Sequence, residues 1–143
     1  MAQHHHSTAV WRGDRWTFDA TTTTGHTVVM DGLHDGQQDD GPTPIELLLT
    51  ALSGCTGTTV LSILRKRREP VEGLEVRADG VRAETHPKVY THIEVVYRVY
   101  GVVKPESVER AIQLSEEKYC GVSVMLRETA MMTHRFEIVA PPR

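Results

Sequence analysis

Cysteine is scarce in this chain: two residues, Cys55 and Cys120, among 143. That excludes a disulfide-dense secreted scaffold, although the two could still form a single pair. A basic excess is missing as well. Lys and Arg total 16 against 19 Asp and Glu, a net charge of −3 that speaks against nucleic-acid binding. The first residues hold no apolar run of signal-peptide length, so the expected compartment is the cytoplasm. There is no Cys-x-x-Cys, no histidine pair at metal-ligand spacing, no Gly-rich phosphate loop and no Gly-x-Ser-x-Gly elbow. Neither a metal nor a cofactor is therefore expected. Chemistry, if present, is thiol chemistry.

What is there suits one domain spanning residues 1–143, burying roughly 68–70% of its unfolded surface. Residues 1–7, with the triplet His4, His5 and His6, read as a disordered polar tail. Thr8 to Trp11 can pair with Trp16 to Thr21 across Arg12-Gly13-Asp14-Arg15, and Trp16, Phe18 and Ala20 alternate with polar residues as in a half-buried strand. Thr27 to Met30 makes a third strand. The Gly-, Asp- and Gln-rich run from Asp31 to Gly41 reads as a mobile loop.

A long helix follows. Thr43 is its expected N-cap, Pro44 its first helical residue and Glu46 the far end of a Thr-x-x-Glu capping box. Leu47 to Leu64 carries no charge, yet Thr50, Ser53, Gly54, Thr56, Gly57, Thr58, Thr59 and Ser62 make it too polar for a bilayer core. It reads as a buried helix, apolar on most sides, with Leu48, Leu52, Val60 and Ile63 close to one stripe. Arg65 to Arg68 then complement its C-terminal dipole, a solvated cap rather than a nucleic-acid patch. Leu74, Val76 and Ala78 alternate as a strand, with a bend allowed at Asp79-Gly80, and Ile93, Val95, Tyr97 and Val99 alternate as another. Pro105 opens a helix whose face is Val108, Ala111, Ile112 and Ser115. Tyr119-Cys120-Gly121 interrupts it, Val122 to Met132 reads as a further helix, and His134 to Val139 as a final strand. The order is an α+β pattern with segregated elements.

Cys55 lies mid-helix between Gly54 and Gly57. Each glycine costs about 1 kcal/mol relative to alanine there, and the missing side chains clear room for another helix or a substrate. Simple packing of a buried thiol explains the same residues. Cys120 stands at a helix start, where free N–H groups and the dipole favour a thiolate. His86 and His92 read as a turn and a strand-face histidine.

The segment Gly41-Pro-Thr-Pro-Ile-Glu-Leu-Leu-Leu-Thr-Ala-Leu-Ser-Gly-Cys55-Thr, continuing to Ser62-Ile-Leu-Arg-Lys66, closely resembles the central helix of the OsmC/Ohr family. Glu116-Glu-Lys-Tyr-Cys120-Gly-Val-Ser-Val-Met-Leu126 resembles the segment around that family's second cysteine. Arg82 to Val89 and Val108 to Ala111 are similar to its YhfA-like branch, and the resemblance runs from about Val10 to Val139. It implies an α+β fold with N-terminal antiparallel strands, a long central helix, a second sheet region and further helices, in an intertwined homodimer. It also implies thiol-dependent reduction of organic hydroperoxides in oxidative stress defence, with Cys55 peroxidatic, Cys120 resolving and an external dithiol as reductant. Leu52, Val124 and Met125 are the expected apolar pocket. In the hydroperoxide-reducing subgroup a glutamate ten residues before the first cysteine pairs with an arginine. Here that position is Ile45. Glu46, one residue on, is the supporting candidate, with Arg12 and Arg15 as candidate arginines. The alternative the residues leave open is a small-molecule binder or thiol redox sensor without efficient turnover.

Overall fold

A computed structural model describes residues 2–13, 15–32 and 39–140. The element order is β1 (Ser7–Trp11), β2 (Phe18–Thr22), β3 (Thr27–Met30), α1 (Pro44–Lys66), β4 (Val71–Arg82), β5 (Tyr90–Gly101), α2 (Pro105–Leu114), a π-helical turn (Ser115–Tyr119), α3 (Gly121–Leu126) and β6 (Met131–Val139). This is the α+β order expected. The chain divides into two compact units, residues 1–48 and 49–143.

The first unit holds an antiparallel sheet in the order β1-β2-β3. Its first strand begins at Ser7, and the backbone N–H of His6 bonds to the Thr23 hydroxyl, so the expected tail is shorter than residues 1–7. Ala20 and Thr17 are buried, but β1 is exposed along its whole length and Trp11 and Trp16 stand open. Asp31 is a buried charge in this unit. Its carboxylate accepts from the Thr17 hydroxyl at 3.0 Å and from the backbone N–H of Gly32 and Asp40 at 2.8 and 3.0 Å, and Arg15 lies 3.4 Å away. Those partners satisfy a group that would be costly to bury alone. Part of the loop expected over Asp31 to Gly41, and Asp14 of the first turn, lie outside the described residues.

Helix α1 begins in the first unit as its capping residues dictate. Glu46 Oε2 accepts from the Thr43 backbone N–H at 2.7 Å, and the Glu46 N–H points back to Thr43 Oγ1 at 3.3 Å. The helix is less buried than its composition leads one to expect. Only Leu52, Thr56, Val60 and Leu64, one residue per turn, are fully buried, and Leu48 is exposed. Burying Leu52, Val60 and Leu64 contributes about 1.5–3 kcal/mol each. The reason for the difference is that an all-round apolar helix does not reveal which side its own chain covers. By length and composition α1 is also apolar enough to cross a membrane, since its leucines outweigh its hydroxyls.

The second unit holds a mixed sheet, β4-β5-β6. β4 and β5 form an antiparallel pair, and β4 runs through Gly80 without the expected bend, because Gly80 pairs with Ile93. Glycine is needed there for space: a Cβ would sit 2.6 Å from the Tyr90 ring. β5 and β6 are parallel, joined by the crossover through α2 and α3. The expected face of α2 is confirmed, with Val108, Ala111, Ile112 and Ser115 all buried. The last helix is shorter than the predicted Val122 to Met132. It ends at Leu126, and Met131 to Thr133 belong to β6, whose ladder to His92–Glu94 outweighs the helical preference of two methionines.

Candidate active site

The two cysteines come together inside the second unit. Both are free thiols, and the side chain of Cys55 is within hydrogen-bonding reach of Cys120. They differ in access. Cys55, midway along α1, is half-buried, whereas Cys120 is fully buried.

Cys120 caps α3, and its Sγ accepts from the Ser123 backbone N–H at 3.4 Å. That bond favours a thiolate, as the sequence predicts, but it does not win. Burial, followed by the hydrogen bond to Cys55, pushes the Cys120 thiol up to about 12. Cys120 is therefore a protonated thiol at neutral pH.

The glycines beside Cys55 do different jobs. A Cβ on Gly57 would stand 3.3 Å from Val76 Cγ2, so Gly57 lets β4 approach the helix. Nothing lies within 4 Å of one on Gly54, which opens outward. The expected pocket of Leu52, Val124 and Met125 is not formed as a unit: Leu52 faces the core, fully buried, while Met125 is exposed. A cleft of about 510 Å³ instead runs along α1 beside the π-helical turn. Thr59, Ile63, Leu114 and Tyr119 line it, with Lys66 and Arg67 at one end.

Glu46, Arg12 and Arg15 sit in the first unit. Glu46 is bound into the cap, and its two bonds from Thr43 hold its carboxyl below the usual range. Arg12 pairs with Asp19 at 2.8 Å and lies 3.6 Å from Asp40, while Arg15 reaches Asp31 at 3.4 Å and Asp40 at 3.7 Å. His92 bonds to the Thr133 hydroxyl at 3.0 Å across the β5–β6 pair, and His86 stands exposed in the β4–β5 connection.

A polar chain running from buried Tyr97 outward is absent from the sequence reading. Tyr97, fully buried on β5, donates to Glu116 Oε1 at 3.1 Å, and Thr56 lies within hydrogen-bond reach of the phenol oxygen. Burial first, then the Glu116 charge, push the phenol far above its usual range, so it remains a donor. Glu116 Oε2 meets His134 Nδ1 at 3.0 Å, and His134 Nε2 meets Glu109 at 3.1 Å. The hydrogen bond to Glu116, followed by its charge, raises His134 to about 9. The local signal was Tyr97 itself, a hydroxyl on the core face of an otherwise aliphatic strand, which needs a partner.

The family model described as OsmC-like protein matches residues 36–135 of this chain, a span that includes both cysteines. The chain belongs to the OsmC-like family. Protein YhfA of Escherichia coli is 40% identical over 125 residues, covering 87% of this chain and 91% of YhfA. A hypothetical protein of Aquifex aeolicus superimposes with a TM-score of 0.87 at 29% identity, covering 99% of this chain and 100% of that one. An organic hydroperoxide resistance protein of Elizabethkingia anophelis shares the OsmC-like fold, with a TM-score of 0.77 at 14% identity over 97% of this chain and 99% of its own.

Proposed function

We propose that this OsmC-like protein reduces organic hydroperoxides by a two-cysteine mechanism, as part of oxidative stress defence. The observation that carries the reading is the contact between an accessible thiol, Cys55, and a buried one, Cys120, in the reduced protein. The hydroperoxide-resistance name of a relative with the same fold supports it.

The chemistry follows from the difference in access. A thiol of ordinary pKa is roughly 3% thiolate at pH 7, and the thiolate is the nucleophile. Cys55 thiolate attacks the terminal peroxide oxygen, the O–O bond breaks, and the alkoxide takes up a proton and leaves as an alcohol. Cys55 is then a sulfenic acid. Cys120 attacks that sulfur, its proton leaves with the hydroxide as water, and a disulfide forms. An external dithiol reduces the disulfide by exchange, itself becoming oxidised. The cleft beside Thr59 and Tyr119 suits the organic part of such a peroxide.

A homodimer belongs to the same proposal. α1 is apolar on sides that its own chain leaves open, and Trp11 and Trp16 are exposed in the first unit. A second copy of the chain would cover such surface. Two free thiols suit a reducing compartment, and the cytoplasm is the proposed location.

The test is consumption of cumene hydroperoxide with a dithiol as reductant. The wild type is expected to turn over, Cys55→Ser to lose activity completely, and Cys120→Ser to stall as a sulfenic acid. Consumption that survives Cys55→Ser overturns the reading. A second reading, a small-molecule binder or thiol redox sensor, is favoured by one observation: Thr43 holds the Glu46 carboxylate in the helix cap, nine residues before Cys55. It predicts oxidation of Cys55 without sustained turnover.

A further inference from the structure

Cys120 is not placed by the α2 helix running on regularly. The chain makes a π-helical turn over Ser115–Tyr119, and the Cys120 backbone N–H bonds to the Ser115 carbonyl at 2.7 Å, five residues back. Such turns are uncommon and concentrate at functional sites. This one is tied twice to the helix that carries Cys55. The Ser115 hydroxyl is hydrogen-bonded to the Thr59 hydroxyl, one turn beyond Cys55. Glu116, the next residue, reaches Tyr97, whose phenol oxygen is in turn within reach of Thr56, the neighbour of Cys55. Thr56, Tyr97 and Ser115 are fully buried while Thr59 and Glu116 are half-buried, so each tie has a buried polar group that is costly to leave without a partner. On the far side His134 of β6 and, through it, Glu109 of α2 hold the second Glu116 oxygen.

We propose that Tyr97, Glu116 and the Thr59–Ser115 pair are positioning residues that clasp the π-helical turn to α1 and so set how closely Cys120 is presented to Cys55. Their side chains hydrogen-bond to one another and to His134. They act on the disulfide equilibrium by raising the effective concentration of one thiol at the other. The inference rests on reading the two cysteines as a redox pair and names what regulates that pair's poise.

The experiment is a titration of the full-length protein in glutathione redox buffers at fixed pH, reading the Cys55–Cys120 disulfide by thiol alkylation and mass. Two glutathione thiols per protein disulfide balance the exchange. Tyr97→Phe and Glu116→Ala are each expected to lower the effective concentration about tenfold, raising the reduction potential by about 30 mV. Glu116→Gln, which keeps an acceptor for Tyr97, is expected to recover most of that loss. Val60→Ala, a core truncation in α1 outside both ties, controls for stability and is expected to lower Tm without moving the potential. Unchanged potentials in folded Tyr97→Phe and Glu116→Ala overturn the inference, as does an equal shift in Val60→Ala. Because no peroxide is involved, a protein that shows the shift but consumes no hydroperoxide leaves the clasp standing and sinks the peroxidase reading alone.

Discussion

The Cys120 thiol lies against that of Cys55 and is the more deeply buried of the two, with its proton held far more firmly than that of an ordinary cysteine. Burial thus sets the two thiols apart, in the order the proposed roles require. Iodoacetamide at about pH 7 is expected to alkylate Cys55 in the native protein and to leave Cys120 untouched until the chain is unfolded. Mass spectrometry of the digested protein reads this directly. Faster labelling of Cys120 would reverse the assignment of roles.

Glu46 offers a clean separation of structure from chemistry. Thr43→Ala and Glu46→Ala both break the capping box, and each is expected to cost about 1 kcal/mol of stability. Under the cap reading the two variants retain the same hydroperoxide turnover. A selective loss of turnover in Glu46→Ala, with Thr43→Ala active, would make Glu46 part of the chemistry.

His134 gives the protein a pH signature. Its pKa is raised from about 6.5 to about 9 in the folded chain, chiefly by Glu116. A raised pKa means that the folded state binds the proton more tightly than the unfolded state. The resulting stability is complete below about pH 6.5 and is lost as pH rises through about 9. Urea midpoints measured across that interval should fall in the wild type and change little in His134→Asn. A flat wild-type profile would remove His134 as a charged partner of Glu116.

The two sides of α1 are expected to respond differently. Leu52→Ala empties a fully buried site and should cost about 2–5 kcal/mol at any protein concentration. Ala51→Glu lies on the exposed side and should instead convert the proposed dimer into monomers, read by sedimentation. If Ala51→Glu sediments as the wild type does, α1 is not the surface that joins two copies.

How much of this was legible in the sequence depended on whether the signal was local. The face of α2 could be read because Val108, Ala111 and Ile112 recur at helical spacing among polar residues, and the start of α1 because Thr43, Pro44 and Glu46 act within one turn. The buried stripe of α1 was read only in part: Leu52 and Val60 are buried as expected, but Leu48 is exposed and Leu64 takes the place of Ile63, since neighbouring leucines look alike to a periodic pattern. The boundary between α3 and β6 was misplaced because Met131 and Met132 suit a helix, and only their pairing with β5 makes them a strand. In the site, the glycine-flanked Cys55 and the helix-starting Cys120 stood out. The shift at Cys120 did not, because desolvation is set by the residues that close over it. The Tyr97–Glu116–His134 chain spans β5, the π-helical turn and β6, and no spacing encodes it.

The parallel pairing of β5 with β6 has a consequence for the order in which the thiol centre is made. Hairpin strands such as β4 and β5 can zip from their connection, but a parallel neighbour must wait until the intervening chain has wrapped over the sheet. Cys120 rides on that wrapping segment. Cys55 lies before that crossover and Cys120 within it, so in the finished arrangement the meeting of the two sulfurs depends on the crossover being packed over the sheet. The pairing of the two thiols is thus a property of the finished fold and not of any single local segment.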